Sequence, residues 1–217
     1  MQGNEIDIYK TDRKYKTIYI DPPWMETGGG KIKRGADKHY SLMSMKEIED
    51  LPIREIADGD GCHLYMWVTN NFLQKGLELL KAWGFEYVTL ITWQKDRFGL
   101  GQYYRGITEH CIFATTKKKL PYKVINGKRQ QGVTGFIEPK REHSRKPEKM
   151  REMIEKVSYS PRIELFARER VDGWDSWGNE CEKFGRMDGK SNGKENNVPG
   201  GCSGEGGEPP DDVQDGR

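Results

Sequence analysis

Asp21-Pro22-Pro23-Trp24 combines a carboxylate, two rigid ring residues and an indole directly after the apolar run Thr17-Ile18-Tyr19-Ile20. The run reads as a short buried strand and the four residues as the turn that ends it. Proline lacks a backbone N–H and has a fixed φ, so two in succession stop a strand ladder and hold the chain extended. An acid and an aromatic plane thus sit on a stiff support before any ligand arrives. At ordinary residue frequencies such a word arises by chance in roughly one in a few thousand chains of this length.

The elements that must hold this turn are legible on either side of it. Ser44-Met45-Lys46-Glu47 is a capping box opening a short helix through Leu51. Cys62 to Val68 is the strongest strand pattern, and Asn70 then caps a helix to about Trp83, ended by Gly84. Tyr87 to Trp93 is a further strand, so the rhythm is strand, helix, strand, which predicts a βαβ unit and a parallel sheet. Glu109 to Ala114 and Arg162 to Ala167 add two more strands, with a helix over Pro147 to Val157 between them. Ile6, Ile8 and Tyr9 suit a short first strand or bridge. The stretch from Lys123 to Arg145 is basic and reads as irregular. Trp67, Phe72, Trp83 and Trp93 read as core.

Length and composition set the bounds. At 217 residues the chain has room for one α/β domain with a substantial core. Residues 1–184 read as that domain, and residues 185–217, rich in Gly, Asn, Asp, Glu and Pro, as an acidic, disordered tail. Net charge is +2, with the tail contributing about −3 and the body about +5, a balance compatible with a polyanionic substrate. Cys62, Cys111, Cys181 and Cys202 show neither a C-x-x-C pair nor metal-ligand spacing, so no metal and a reduced, cytoplasmic setting are expected. No apolar run approaches a membrane span, and the start is not signal-like. The glycine-rich stretch Gly28 to Gly35 lacks the Gly-Lys-Ser/Thr of a phosphate-binding loop and reads as a loop beside a site.

In this order the motifs resemble the MT-A70 family of adenine N(6)-methyltransferases. Besides the proline turn, the resemblance rests on Tyr40-Ser41-Leu42-Met43-Ser44, Leu64 to Thr69, Trp83-Gly84-Phe85 and Ile91 to Lys95. It continues through Glu109-His110-Cys111, Ser144-Arg145-Lys146-Pro147, Ile163 to Arg168 and Trp174 to Asn179. It spans about Asp7 to Glu180. It implies a Rossmann-like S-adenosylmethionine-dependent methyltransferase fold: α/β, single domain, mostly parallel sheet, helices on both faces. The implied reaction is methyl transfer to the exocyclic amine of adenine in nucleic acid. DNA is favoured because the chain is one compact module without an RNA-binding appendage; RNA is the alternative, and a non-catalytic, nucleic-acid-binding partner subunit of a methyltransferase dimer is a second one that an intact turn argues against, a homodimer or heterodimer being what the family implies.

The chemistry suits such a turn. The adenine amino group is a poor nucleophile because its lone pair is delocalised, and two hydrogen-bond acceptors on its N–H groups would raise its electron density. Asp21 and the Pro22 carbonyl, braced by Pro23, are the expected acceptors, and Trp24 the expected stacking face for the base. By position the resemblance places Asp7 and Ile8 near the donor adenine, Lys146 on a gating loop beside the donor together with Asp21, and Arg168, Asn179 and Glu180 near the ribose. Glu164 matches a strand-end acid. Tyr40 would lie over the base pocket. Lys117, Lys118 and Lys119 are either a solvated face or contacts for phosphate. Glu169-Arg170 after Arg168, and a shorter loop to Trp174, depart from the family pattern, so Arg170 and Asp172 are not assigned to the donor. His63, His110 and His143 read as structural.

Overall fold

The computed structural model describes residues 3–25, 42–99, 101, 103–118, 120, 122–141, 145–179, 181 and 186–187. Its strands are β1 (Thr17–Ile20), β2 (His63–Val68), β3 (Phe85–Gln94), β4 (Thr108–Thr116), β5 (Val124–Ile125), β6 (Lys128–Arg129), β7 (Gly135–Ile137), β8 (Arg162–Leu165), β9 (Arg170–Val171), β10 (Asp175–Trp177) and β11 (Arg186–Met187). The helices are α1 (Met45–Glu49), α2 (Ile53–Ile56), α3 (Leu73–Ala82) and α4 (Glu148–Val157). Seven strands form one sheet in the order β10-β8-β1-β2-β4-β3-β7.

β1 lies between β8 and β2 and runs parallel to both. Its four residues are all buried, as expected of a strand covered on both faces. β10 runs parallel to β8, and β7 parallel to β3. β4 is the exception: it pairs antiparallel with both β2 and β3. The expected strand, helix, strand unit is present, with β2 and β3 pointing the same way, but β4 stands between them. An antiparallel return needs only a loop, whereas a parallel neighbour needs a crossover, so the strand after β3 turns back and takes the place beside β2.

Side-chain alternation divides the sheet into two faces. Ile18, Ile20, Leu64, Met66, Val68, Ile112, Ile163 and Leu165 pack with buried residues of α1, α2 and α3. Tyr19, Tyr65, Trp67, Ile91, Trp93 and Cys111 pack with Met150, Met153 and Ile154 of α4. Trp67, Phe72, Trp83 and Trp93 are buried. Ser44 caps α1 with both halves of the capping box, as the sequence predicts. Asn70–Phe72 is a 3-10 turn preceding α3, and Pro147 is the N-cap of α4.

The stretch after Lys123 is more regular than its composition suggests. β5 and β6 form a hairpin whose Asn126 and Gly127 both have positive φ, 49° and 73°. That is the type I′ turn for which Asn-Gly is suited. The N-terminal segment forms a single bridge, Glu5 to Ser176, beside β10. The glycine-rich loop, Tyr40, Lys119, His143, Glu180, Cys202 and most of the C-terminal stretch lie outside the described residues.

Candidate active site

The turn leaves the carboxyl end of the central strand and is held on several sides. The Trp24 N–H donates to the Pro22 carbonyl at 2.9 Å, and the Met43 N–H donates to the Pro23 carbonyl at 3.0 Å. The Trp24 indole N–H donates to the Trp67 carbonyl at 3.1 Å, and its ring stacks on Phe72 with centroids 5.0 Å apart. Trp24 is only 8% exposed. This corrects its expected role: the indole is a peg that pins the turn to β2 and the 3-10 turn, and its stacked face is occupied. The Pro22 carbonyl keeps a second lone pair beyond the one used within the turn.

Alternation then determines who meets Asp21. Tyr19 and Asp21 on β1, Trp67 on β2, Glu109 and Cys111 on β4, and Trp93 and Lys95 at the end of β3 fall on the face covered by α4. Because β4 is antiparallel, its first residues lie at the carboxyl ends of the parallel strands, so Glu109 arrives beside Asp21. Lys146, just before α4, bridges them: its Nζ is 3.1 Å from Asp21 Oδ1 and 3.1 Å from Glu109 Oε2. The ammonium also lies 5.2 Å from the Trp67 ring centroid. The other oxygen of Glu109 pairs with Lys95, whose ammonium is 5.1 Å from the Trp93 ring.

Burial alone would raise the Glu109 pKa, but Lys146 and Lys95 overcome it and hold the carboxyl at about 2. Burial likewise works against the Lys146 charge, and Asp21 and Glu109 outweigh it, leaving the pKa above that of a free lysine. Lys146 is therefore a fixed cation at neutral pH and not a base. The resemblance sets Lys146 beside Asp21, and the two side chains meet in the structure.

A second cluster sits beneath the turn at the end of β8. Glu164 accepts from Arg151 Nε at 3.2 Å and Nη2 at 2.9 Å, and Arg151 Nη2 also reaches Glu169 at 3.0 Å. Arg145 contacts the other oxygen of Glu169 at 3.1 Å. Burial raises the Glu164 pKa against the pull of Arg151. Phe166, directly after β8, has φ 59°, a conformation that costs a non-glycine residue about 1–3 kcal/mol and recurs at ligand sites. Asp21, Lys146, Glu164, Phe166 and Arg168 surround a narrow crevice of about 30 Å³.

The remaining expected residues divide. Asp7 is paired with Lys10 at 2.9 Å, and Ile8 is buried in the core, so only its backbone can meet a ligand. The segment is nonetheless joined to the crevice, because Tyr9 packs on Trp177 and Trp177 on Phe166, with centroids 6.0 and 5.1 Å apart. Asn179 is exposed just beyond β10. Gly178, between them, lets two chains approach: a Cβ there would lie 2.9 Å from the Ala167 nitrogen. Tyr40, Lys119 and Glu180 lie outside the described residues.

Lys117 and Lys118 are corrected. They follow Thr116 at the carboxyl end of antiparallel β4, where Thr115 pairs with His63 at the start of β2. That is the end of the sheet opposite Asp21, about 15–20 Å away along the strands. Both are exposed, and Lys118 pairs with Asp60 at 2.5 Å. Sequence reasoning missed Glu109, Lys95, Arg151 and Glu169 as site residues. Strand periodicity could have placed Glu109 and Lys95 on one face, but only knowledge of β4's direction brings them to the turn.

The described residues offer no group of three or more potential metal ligands. His110 has both ring nitrogens engaged, with Thr92 at 3.0 Å and Asn70 at 2.7 Å. The donor set at the crevice fits S-adenosylmethionine chemically: carboxylates for cationic groups, Lys146 for a carboxylate, Arg168 as a donor to hydroxyl oxygens, and Phe166 for an aromatic base.

The chain matches the MT-A70 family over residues 15–180. It is 31% identical over 190 residues to the type II methyltransferase M.MunI of a Mycoplasma species, covering 77% of this chain and 78% of that protein. It is 32% identical to the N(6)-adenine-specific methyltransferase METTL4 of Mus musculus, over 81% of this chain and 39% of the relative. To the human N(6)-adenosine-methyltransferase catalytic subunit METTL3 it is 29% identical, over 81% of this chain and 30% of that subunit. Together with the intact turn, these matches identify the chain as a member of the MT-A70 family, an N(6)-adenine methyltransferase that uses S-adenosylmethionine.

Proposed function

We propose that the polymer methylated is DNA, and that Asp21 and the Pro22 carbonyl orient the adenine amine for the transfer. The observation that carries the mechanism is the Asp21 carboxylate held at the end of the central strand, 3.1 Å from a permanently charged Lys146. S-adenosylmethionine supplies an activated methyl on a sulfonium. Asp21 and Pro22 accept from the two N–H groups of the amine, which raises the electron density on N6 and favours a tetrahedral nitrogen. When bound, the donor would supply the methyl to the N6 lone pair that Asp21 and Pro22 hold in place, its C–S bond breaking as the C–N bond formed. The surplus N6 proton passes to Asp21 or to water. Lys146, tied to Glu109, fixes the carboxylate and takes no proton. The site positions and polarises without a covalent enzyme intermediate. An adenine in a duplex must be flipped out to reach the turn.

The small crevice requires Lys146 and its neighbours to yield when donor and base enter together. Arg168 and Asn179 are the proposed ribose contacts, with the Asp7-Ile8 backbone at the donor base. Tyr40 and Glu180 keep their proposed places on sequence position alone. The DNA reading is supported by similarity across most of both chains to the type II methyltransferase M.MunI, whereas METTL4 and METTL3 are matched over less than half their length. We also infer a cytoplasmic protein whose methyltransferase domain is residues 1–184 together with β11, which pairs with β9, the Gly-rich acidic tail following. Among the described residues no helix is long and apolar enough to cross a membrane.

Transfer of radiolabelled methyl to adenine-containing DNA duplexes and to matched RNA hairpins tests the polymer. The proposal expects incorporation into DNA at least tenfold faster, and faster RNA labelling overturns it. Asp21→Ala should abolish incorporation while retaining donor binding; unchanged turnover would remove the central assignment.

A further inference from the structure

On the α4 face, at the end of the sheet away from Asp21, lies a cavity of about 460 Å³. It shares no lining residue with the crevice at the turn. Its volume falls within the roughly 300–1,000 Å³ of small-molecule sites. The walls are largely apolar: Phe113 and Ile91 from the sheet, Met153 and Val157 from α4, with Val133 and Tyr122 from the segments around the β5–β6 hairpin.

Two polar groups in the cavity wall are incompletely bonded: the Thr115 hydroxyl, buried without a partner, and the His63 ring, bonded at one nitrogen. His63 is 8% exposed, and its Nδ1 lies 2.8 Å from Ser158 Oγ. Ser158 Oγ in turn lies 2.8 Å from the hydroxyl of Tyr65, which is 1% exposed. One arrangement of hydrogens pairs all three groups and leaves neither buried hydroxyl hydrogen idle, whereas two donors into Ser158 Oγ would leave the Ser158 hydrogen unused. Tyr65 donates to Ser158, and Ser158 donates to His63 Nδ1. The reverse arrangement would leave the Tyr65 hydroxyl hydrogen buried without an acceptor, which is costly. The imidazole proton then resides on Nε2, and no protein acceptor meets it. Burial lowers the His63 pKa to about 4, so the ring is neutral near pH 7. The one charged side chain among the described residues of the lining, Arg129, is exposed and lies over the Tyr122 ring at 4.5 Å from its centroid. A charged ligand would be desolvated inside without a counter-charge.

We propose that this cavity is a second ligand site, which takes an uncharged heteroaromatic molecule through an acceptor atom on its edge to the His63 Nε2–H. Aromatic and thioether walls favour a flat ring, and the Nε2–H favours an acceptor on its edge.

Quinoline, which carries a ring acceptor, and indole, a donor of similar size, are suitable probes at pH 7.5. Calorimetry on the full chain should show quinoline binding about fivefold tighter than indole, the usual effect of one hydrogen bond. In 1H–15N spectra the His63 Nε2 resonance should shift on quinoline addition and not on indole addition. Val157→Trp, which fills the cavity from α4, should abolish binding of both while methyl transfer persists. Equal affinities, an unmoved Nε2 resonance, or quinoline binding retained in folded Val157→Trp would each overturn the proposal. So would self-association in ultracentrifugation that Val157→Trp abolishes while neither probe binds, because the cavity would then be a protein interface.

Discussion

Glu109→Gln removes the charge that sits between Lys95 and Lys146 while keeping the side chain's shape. Glu109 titrates near 2 in the folded protein against a reference value of 4.5. The difference corresponds to about 3 kcal/mol of stabilisation in the charged form, after burial has been overcome. The carboxylate is 19% exposed, so solvent screening removes little of this. The folded pKa is the lower one, so the contribution is complete above the unfolded pKa and is lost as pH falls through the folded pKa. The variant should therefore be about 3 kcal/mol less stable than the parent at pH 7, with the deficit reduced by roughly half at pH 3 and nearly gone at pH 2. Urea unfolding of both proteins at these pH values measures the difference directly, with other acid-sensitive groups common to both. The charge argument is refuted by a variant within about 0.5 kcal/mol of the parent at pH 7. It is equally refuted by a deficit that does not shrink by pH 3. Methyl transfer should fall as well, since Lys146 would be left to Asp21 alone.

Further outcomes follow from the same geometry. His63 titrates near 4 when folded and 6.5 as a free side chain, so its contribution of about 3 kcal/mol is present above pH 6.5 and is lost between 6.5 and 4; His63→Phe should flatten that slope in denaturant titrations. Trp24→Phe loses the bond to the Trp67 carbonyl and should cost about 1–2 kcal/mol by thermal unfolding, with a larger loss of activity because the turn loosens. Gly178→Ala forces its Cβ against the Ala167 and Phe166 backbone and should destabilise by about 1–3 kcal/mol while weakening donor binding measured by calorimetry. Lys117→Ala with Lys118→Ala, at the far end of the sheet, should leave kcat/KM on DNA within about twofold; a tenfold loss would return those lysines to the substrate path.

Local chemistry carried much of this protein into its sequence. The stiffness of Asp21-Pro22-Pro23-Trp24, the capping box at Ser44, the buried strand from His63 to Val68 and the helix after Pro147 depend on neighbours a few residues away, and each formed as its residues dictate. The motif series was equally legible, because it needs only order along the chain. Strand direction and pairing were not, since they depend on which of several similar apolar strands meet. The antiparallel insertion of β4 is the decisive case. It brings Glu109 to Asp21 through Lys146 and carries Lys117 and Lys118 to the opposite end. Side-chain orientation was likewise a tertiary matter: the same indole that reads as an open platform in the word Asp-Pro-Pro-Trp is buried against Phe72, because that contact removes more apolar surface from water. The sequence by itself singled out Asp21 and the stiff turn that carries it, because both rest on neighbours in the chain; the three-dimensional pairing of distant strands decided which charges surround it.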